Sequence, residues 1–88
     1  MVVGKLIIKN KLGLHARPAA LFVETASKYD ADVTISKDGV EVNGKSIMGV
    51  LMLAAEKGSE VTIKTKGKDE KELYQALADL LEAKFGEE

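Results

Sequence analysis

Ala31-Asp32-Val33-Thr34-Ile35-Ser36-Lys37-Asp38-Gly39-Val40-Glu41-Val42 is the stretch on which the fold turns. From Ala31 to Lys37 polar and apolar residues alternate, with Val33 and Ile35 on one face and Thr34 and Ser36 on the other. A period of two belongs to a strand with one dry side. Asp38-Gly39 then supplies a pair of residues suited to a tight hairpin turn. Val40-Glu41-Val42 is the return strand, and Asn43-Gly44 stops it.

Upstream of the hairpin, Ala19, Phe22, Val23 and Ala26 recur at helical spacing between Ala16 and Ser27. Before that helix, Lys5-Leu6-Ile7-Ile8-Lys9 reads as a first strand, ended by a loop from Asn10 to Gly13. Downstream, Ser46 is placed to N-cap a short helix from Ile47 to about Ala55, closed off by Gly58. Val61 and Ile63 alternate with Thr62 and Lys64 in a last strand, which Gly67 ends. Asp69 and Glu72 have capping-box spacing. Leu73, Leu77, Leu80 and Leu81 form the apolar stripe of a final helix, with Gly86 just past its end.

The resulting order is β-α-β-β-α-β-α. Strands with a single apolar face, interleaved with amphipathic helices, predict an antiparallel sheet covered on one side. The fold class is therefore α+β: an open-faced β-sandwich of the split βαβ type, with a four-stranded antiparallel sheet under three helices. The length of 88 residues leaves room for one core, so residues 1–88 are expected to form a single domain.

Composition removes several function classes. Thirteen Lys and Arg nearly cancel fourteen Asp and Glu, which gives no bulk attraction to nucleic acid or an acidic membrane. The absence of cysteine excludes a disulfide scaffold, a thiolate nucleophile and a Cys-type zinc site. A single histidine excludes a multi-His metal centre. No apolar run approaches the roughly 18 residues of a membrane span, and the start of the chain lacks a basic stretch followed by an apolar one. The expected compartment is the cytoplasm.

The lone histidine stands in Gly13-Leu14-His15-Ala16-Arg17-Pro18-Ala19-Ala20, at the start of the first helix. A helix N-terminus offers unpaired N–H groups and partial positive charge. Imidazole is substantially neutral, and so nucleophilic, near pH 7, with a reference pKa of about 6.5. The guanidinium of Arg17 suits phosphate oxygens. Pro18 has no N–H, which leaves those of Ala16 and Arg17 to face an anion. Because proline disfavours helical dihedrals just before it, the helix start falls anywhere from His15 to Arg17. A simpler role for His15 is to cap the helix or to stand idle at the surface. No carboxylate adjoins it in sequence to orient the ring, though one could approach in space. On the chemical reading this is half of an active centre, and a partner supplies the rest.

Ile47-Met48-Gly49-Val50-Leu51-Met52-Leu53-Ala54-Ala55 contains no polar side chain. Val50, Leu53 and Ala54 share a core-facing side, while Ile47, Met48 and Leu51 fall on another. The expected result is an exposed apolar docking patch, unless loops cover the helix. Methionine suits a surface that must fit several partners. Ser46 is most simply a cap, but a phosphate there would lie at a helix N-terminus beside the patch.

With His15-Ala16-Arg17-Pro18 and Lys45-Ser46-Ile47-Met48-Gly49-Val50 both present, the chain resembles the HPr family of histidine-containing phosphocarriers. These belong to the bacterial phosphoenolpyruvate:sugar phosphotransferase system. The resemblance extends to Thr25-Ala26-Ser27-Lys28-Tyr29-Asp30-Ala31 and Val42-Asn43-Gly44, and covers essentially the whole chain. It implies that His15, through Nδ1, accepts a phosphoryl group from enzyme I and passes it to the A domain of a sugar-specific enzyme II. Arg17 would stabilise that phosphate, and Ile47, Met48 and Leu51 would dock the partners. Such a protein is a carrier rather than a turnover enzyme and needs no cofactor.

Ser46 matches the serine phosphorylated by an ATP-dependent HPr kinase/phosphorylase, whose product can serve as corepressor for a catabolite-control transcription regulator. Two positions depart from relatives: Ala20 stands where Gram-positive members often carry threonine, and Glu24 where enteric members tend to be basic. The second should weaken electrostatic steering toward an acidic partner. The expected state is a monomer, which presents one face to successive partners. Two other readings remain: a regulatory module acting through Ser46, and a nucleic-acid-binding sandwich. The charge balance and the small aromatic content, two Phe and two Tyr, argue against the second.

Overall fold

Positive φ at both Asp38 (50°) and Gly39 (83°) closes the hairpin in the manner of a two-residue turn. In the computed structural model, which describes residues 1–87, β2 (Asp32–Lys37) and β3 (Val40–Asn43) flank that turn, with Lys37 opposite Val40. The remaining elements are β1 (Val2–Ile7), α1 (Ala16–Ala26), α2 (Ile47–Met52), β4 (Glu60–Lys66) and α3 (Glu70–Glu82), then a 3₁₀ turn over Lys84–Gly86.

β4 lies between β1 and β2 and is antiparallel to both, so the sheet order is β1-β4-β2-β3. β1 and β2 therefore run in the same direction with a strand inserted between them, the split βαβ topology. Val33, Ile35, Val61 and Ile63 supply the dry face of the sheet. Phe22 and Ala26 of α1 and Leu73, Leu77 and Leu81 of α3 complete the core over it. Each large side chain buried there contributes ~1.5–3 kcal/mol relative to exposure. The opposite face is open, with Lys64 and Glu41 paired across it at 3.3 Å. The predicted four-stranded, one-side-covered sandwich is the fold observed.

Four details differ from the sequence pattern. β1 begins at Val2 and ends at Ile7 rather than running from Lys5 to Lys9. Gly4, inside that strand, is where Tyr74 packs; a Cβ there would overlap the phenol ring. α2 stops at Met52 instead of continuing to Ala55, because Ala54 turns left-handed (φ 50°). That leaves Ala54 exposed, not on the core side, and frees the buried Ala55 to accept a hydrogen bond from Leu14 N–H at 2.8 Å.

No capping box forms at α3. Asp69 is the N-cap but makes no side-chain cap bond; its carboxylate instead accepts the N–H groups of Asp30 (2.9 Å) and Ala31 (2.8 Å). Finally, α3 ends at Glu82, and Gly86 belongs to the separate 3₁₀ turn. Within it Lys84, Phe85 and Gly86 all have positive φ, which folds the chain back and buries Phe85.

Candidate functional site

His15 is the N-cap of α1 in an extended conformation, yet its side chain makes no capping bond. The ring is thus available for something else. Its loop is pinned on three sides: Leu14 is buried with its N–H on Ala55 O, Gly13 turns at φ 72°, and Ala19 N–H reaches His15 O at 2.9 Å. Gly13 is required here twice over, by its left-handed φ and by the Ala55 carbonyl that a Cβ would strike.

The imidazole is 38% exposed at the side chain and lies 3.2 Å, through Nε2, from Oε2 of Glu87. Nε2 is closed off from solvent, and the carboxylate oxygen approaches it without the alignment of a hydrogen bond. Glu87 Oε1 accepts from Asn10 Nδ2 at 3.1 Å. The same Nδ2 donates to Gly13 O at 2.7 Å, and Asn10 is fully buried. Asn10 thus holds the carboxylate that approaches the ring.

Ala16 and Arg17 are exposed beside His15. As the first helical residues they lack intrahelical acceptors for their N–H groups, and no described residue supplies one. Arg17 pairs with no carboxylate among the described residues. One imidazole, one unpaired guanidinium and two free N–H groups thus sit on consecutive residues at the exposed start of α1. That set can receive an anionic group and offset its charge without a metal. No group of three or more metal-ligating side chains occurs among the described residues. A groove lined by Asp32, Thr34, Glu41 and Lys64 lies on the open sheet face, away from His15.

Ser46 N-caps α2, its Oγ accepting from Gly49 N–H at 3.1 Å. Ile47 and Met48 are 45% and 71% exposed, Met52 is 72% exposed, and Leu51 is half-buried. The apolar patch is therefore uncovered in this chain, and Met52 enlarges it. α1 packs against α2, and the bond from Leu14 to Ala55 ties the histidine loop to the segment after α2. His15, Ala16 and Arg17 come together as the sequence indicates, with Ser46, Ile47, Met48 and Leu51 on the adjoining element. Asn10 and Glu87 were not foreseen. The nearest hint was Phe85, an apolar residue in an otherwise polar tail that must dock somewhere.

The family model described as "PTS HPr component phosphorylation site" matches residues 2–83. The chain belongs to the HPr family. Its relatives include the phosphocarrier protein HPr of Xylella fastidiosa, 48% identical over 88 residues, covering 100% of this chain and 99% of the relative. The crystal structure of HPr-C-His from Thermoanaerobacter tengcongensis superposes with a TM-score of 0.97 at 52% identity, covering 100% of this chain and 99% of that one. The crystal structure of Crh, the Bacillus subtilis catabolite repression protein described as an intertwined dimer with a swapping domain, matches at 46% identity. Its TM-score is 0.77, and 96% of this chain and 97% of that one are covered. HPr proteins are phosphocarriers of the phosphotransferase system, and this chain has their fold throughout its described length. No helix among the described residues is long and apolar enough to cross a membrane.

Proposed function

We propose that His15 is the phosphoryl-carrying residue of this HPr-family chain. It accepts the group from phosphorylated enzyme I, ultimately from phosphoenolpyruvate, and delivers it to the A domain of a sugar-specific enzyme II. The observation that carries this reading is a solvent-facing imidazole beside an unpaired Arg17 and the free N–H groups of Ala16 and Arg17. With Nε2 closed off by Glu87, Nδ1 is the nitrogen left to react. Its lone pair forms the N–P bond while the bond from phosphorus to the donor breaks, the donor keeping that electron pair. Delivery runs the same exchange in reverse, so the protein carries and does not turn over. Arg17 and the two N–H groups meet the phosphoryl oxygens in both steps. Ile47, Met48 and Leu51 dock enzyme I and the enzyme II domain in turn. Residues 1–88 act as one cytoplasmic unit, monomeric while it shuttles, with no direct contact to nucleic acid.

Phosphorus NMR after incubation with phosphoenolpyruvate, Mg²⁺ and catalytic enzyme I tests the assignment. The expected result is an acid-labile phosphohistidine signal that His15→Ala removes while its fold survives. Acceptance by that variant would refute the site. Sedimentation of the unphosphorylated protein checks the monomer; a mass of two chains would refute it.

The relationship to Crh favours a second input. Phosphorylation of Ser46 by an ATP-dependent HPr kinase/phosphorylase would place charge beside Ile47 and Met48, where it hinders docking and creates a face for a catabolite-control transcription regulator. Acid-stable phosphate from ATP that Ser46→Ala abolishes is the expected signature. A chain that takes phosphate only there, and none from enzyme I, would instead be a purely regulatory member of the family.

A further inference from the structure

The geometry points to Glu87 as a positioning residue for His15: its carboxylate selects the imidazole tautomer with the proton on Nε2 and so keeps the Nδ1 lone pair outward. The inference rests on the carrier reading above for its consequence, but its physical basis is independent. Nε2 is shut away from water and has one charged neighbour among the described residues, Glu87 Oε2 at 3.2 Å. A lone pair on Nε2 would be repelled by a carboxylate oxygen that close, whereas an N–H there is attracted even when it is not aimed straight at the oxygen. No other described group competes for the nitrogen.

The carboxylate is itself held. Asn10 Nδ2, anchored by Gly13 O at 2.7 Å, donates to Glu87 Oε1 at 3.1 Å. Asn10 is fully buried, so this donor cannot swing away. From the other side, burial of Phe85 through three left-handed residues aims the tail back at the loop. The loop before α1 and the tail after α3 are thus tied together by Asn10 and Glu87, with the carboxylate beside one ring nitrogen.

This contact acts in the transfer step as follows. When Nδ1 bonds phosphorus and the donor leaves with its electron pair, the ring that still carries Nε2–H becomes cationic. Glu87 Oε2, 3.2 Å from Nε2, lies next to that new charge. When the phosphoryl group departs, the N–P pair returns to Nδ1 and the ring is again neutral with Nε2–H in place. No proton has to move within the protein in either direction, provided the tautomer is correct at the start.

Ring ¹⁵N NMR of unphosphorylated protein at about pH 8.5, well above the reference histidine value of about 6.5, reads the tautomer without any partner. The wild type should show Nε2 protonated in nearly all molecules. Glu87→Ala should enlarge the Nδ1–H population several-fold. Glu87→Gln, which keeps an acceptor oxygen at the same reach, should restore the Nε2–H bias. In single-turnover transfer from phosphorylated enzyme I, Glu87→Ala should slow the step about fivefold, the scale of one partly exposed charge contact, with half-saturation unchanged. An unaltered tautomer ratio in Glu87→Ala overturns the inference and leaves His15 as the carrier. If the wild type takes no phosphate from enzyme I, the carrier reading falls, and the positioning role falls with it even where the tautomer shifts.

Discussion

Gly13 is the residue on which the histidine loop depends most. Its φ of 72° favours glycine, and a methyl group there would meet the carbonyl oxygen of Ala55. Gly13→Ala should cost at least the ~1–2 kcal/mol of a left-handed residue with a Cβ, read as a lower urea midpoint. It should also slow phosphoryl acceptance, since the contact it disturbs is the one that seats Leu14. A midpoint equal to wild type would show that the loop relaxes freely. At this scale, legibility followed locality. His15 and Arg17 announce themselves as candidates because the relevant chemistry lies in residue type and in the helix that starts between them at Ala16. Asn10 and Glu87 do not: 77 positions separate them, and only the folded chain makes them partners.

Elements behaved differently from their caps. The periodicities of α1, β2, β4 and α3 predict the right elements because burial on one face is a repeated, redundant signal. Their ends rest on single residues that tertiary contacts can reassign. Asp69 is the clearest case: spacing to Glu72 favours a capping box, but two unpaired N–H groups on Asp30 and Ala31 recruit the carboxylate instead. The Asp30 N–H foremost, then that of Ala31 and the charge of Lys45, hold the Asp69 carboxyl below the ordinary carboxylate value of 3.8 against an opposing effect of desolvation. A lowered native value means the contribution is fully present above 3.8 and disappears as pH falls through the lower native value. Asp69→Asn should therefore be less stable than wild type at neutral pH, with the gap closing in acid. Thermal unfolding of both proteins between neutral pH and pH ~2 checks this; a gap independent of pH would remove the ionised carboxylate from the account.

For the molecule as a whole, the one-sided sheet explains how stability and chemistry are kept apart. The core lies between sheet and helices, while His15, Arg17 and the α2 patch stand at its edge. Leu77→Ala, at a fully buried site, should cost about 2–5 kcal/mol, a large share of the roughly 4–13 kcal/mol expected for a chain this size. Transfer measured on the folded fraction should stay at the wild-type rate. A rate loss under conditions where the variant is fully folded would mean that core packing reaches the site. The strand order was only partly legible: hairpin and element order limit the choices, but placing β4 in the middle depends on pairings distant in sequence.

That middle strand also sets a schedule. During synthesis His15 precedes β4, and β1 has no neighbour until β4 at Glu60–Lys66 emerges. The first half of the chain can close only the β2–β3 hairpin, and sequence-distant pairings form late. His15 is made before Ala55 and before β4, so an unfinished chain carries the histidine without the carbonyl that seats its loop.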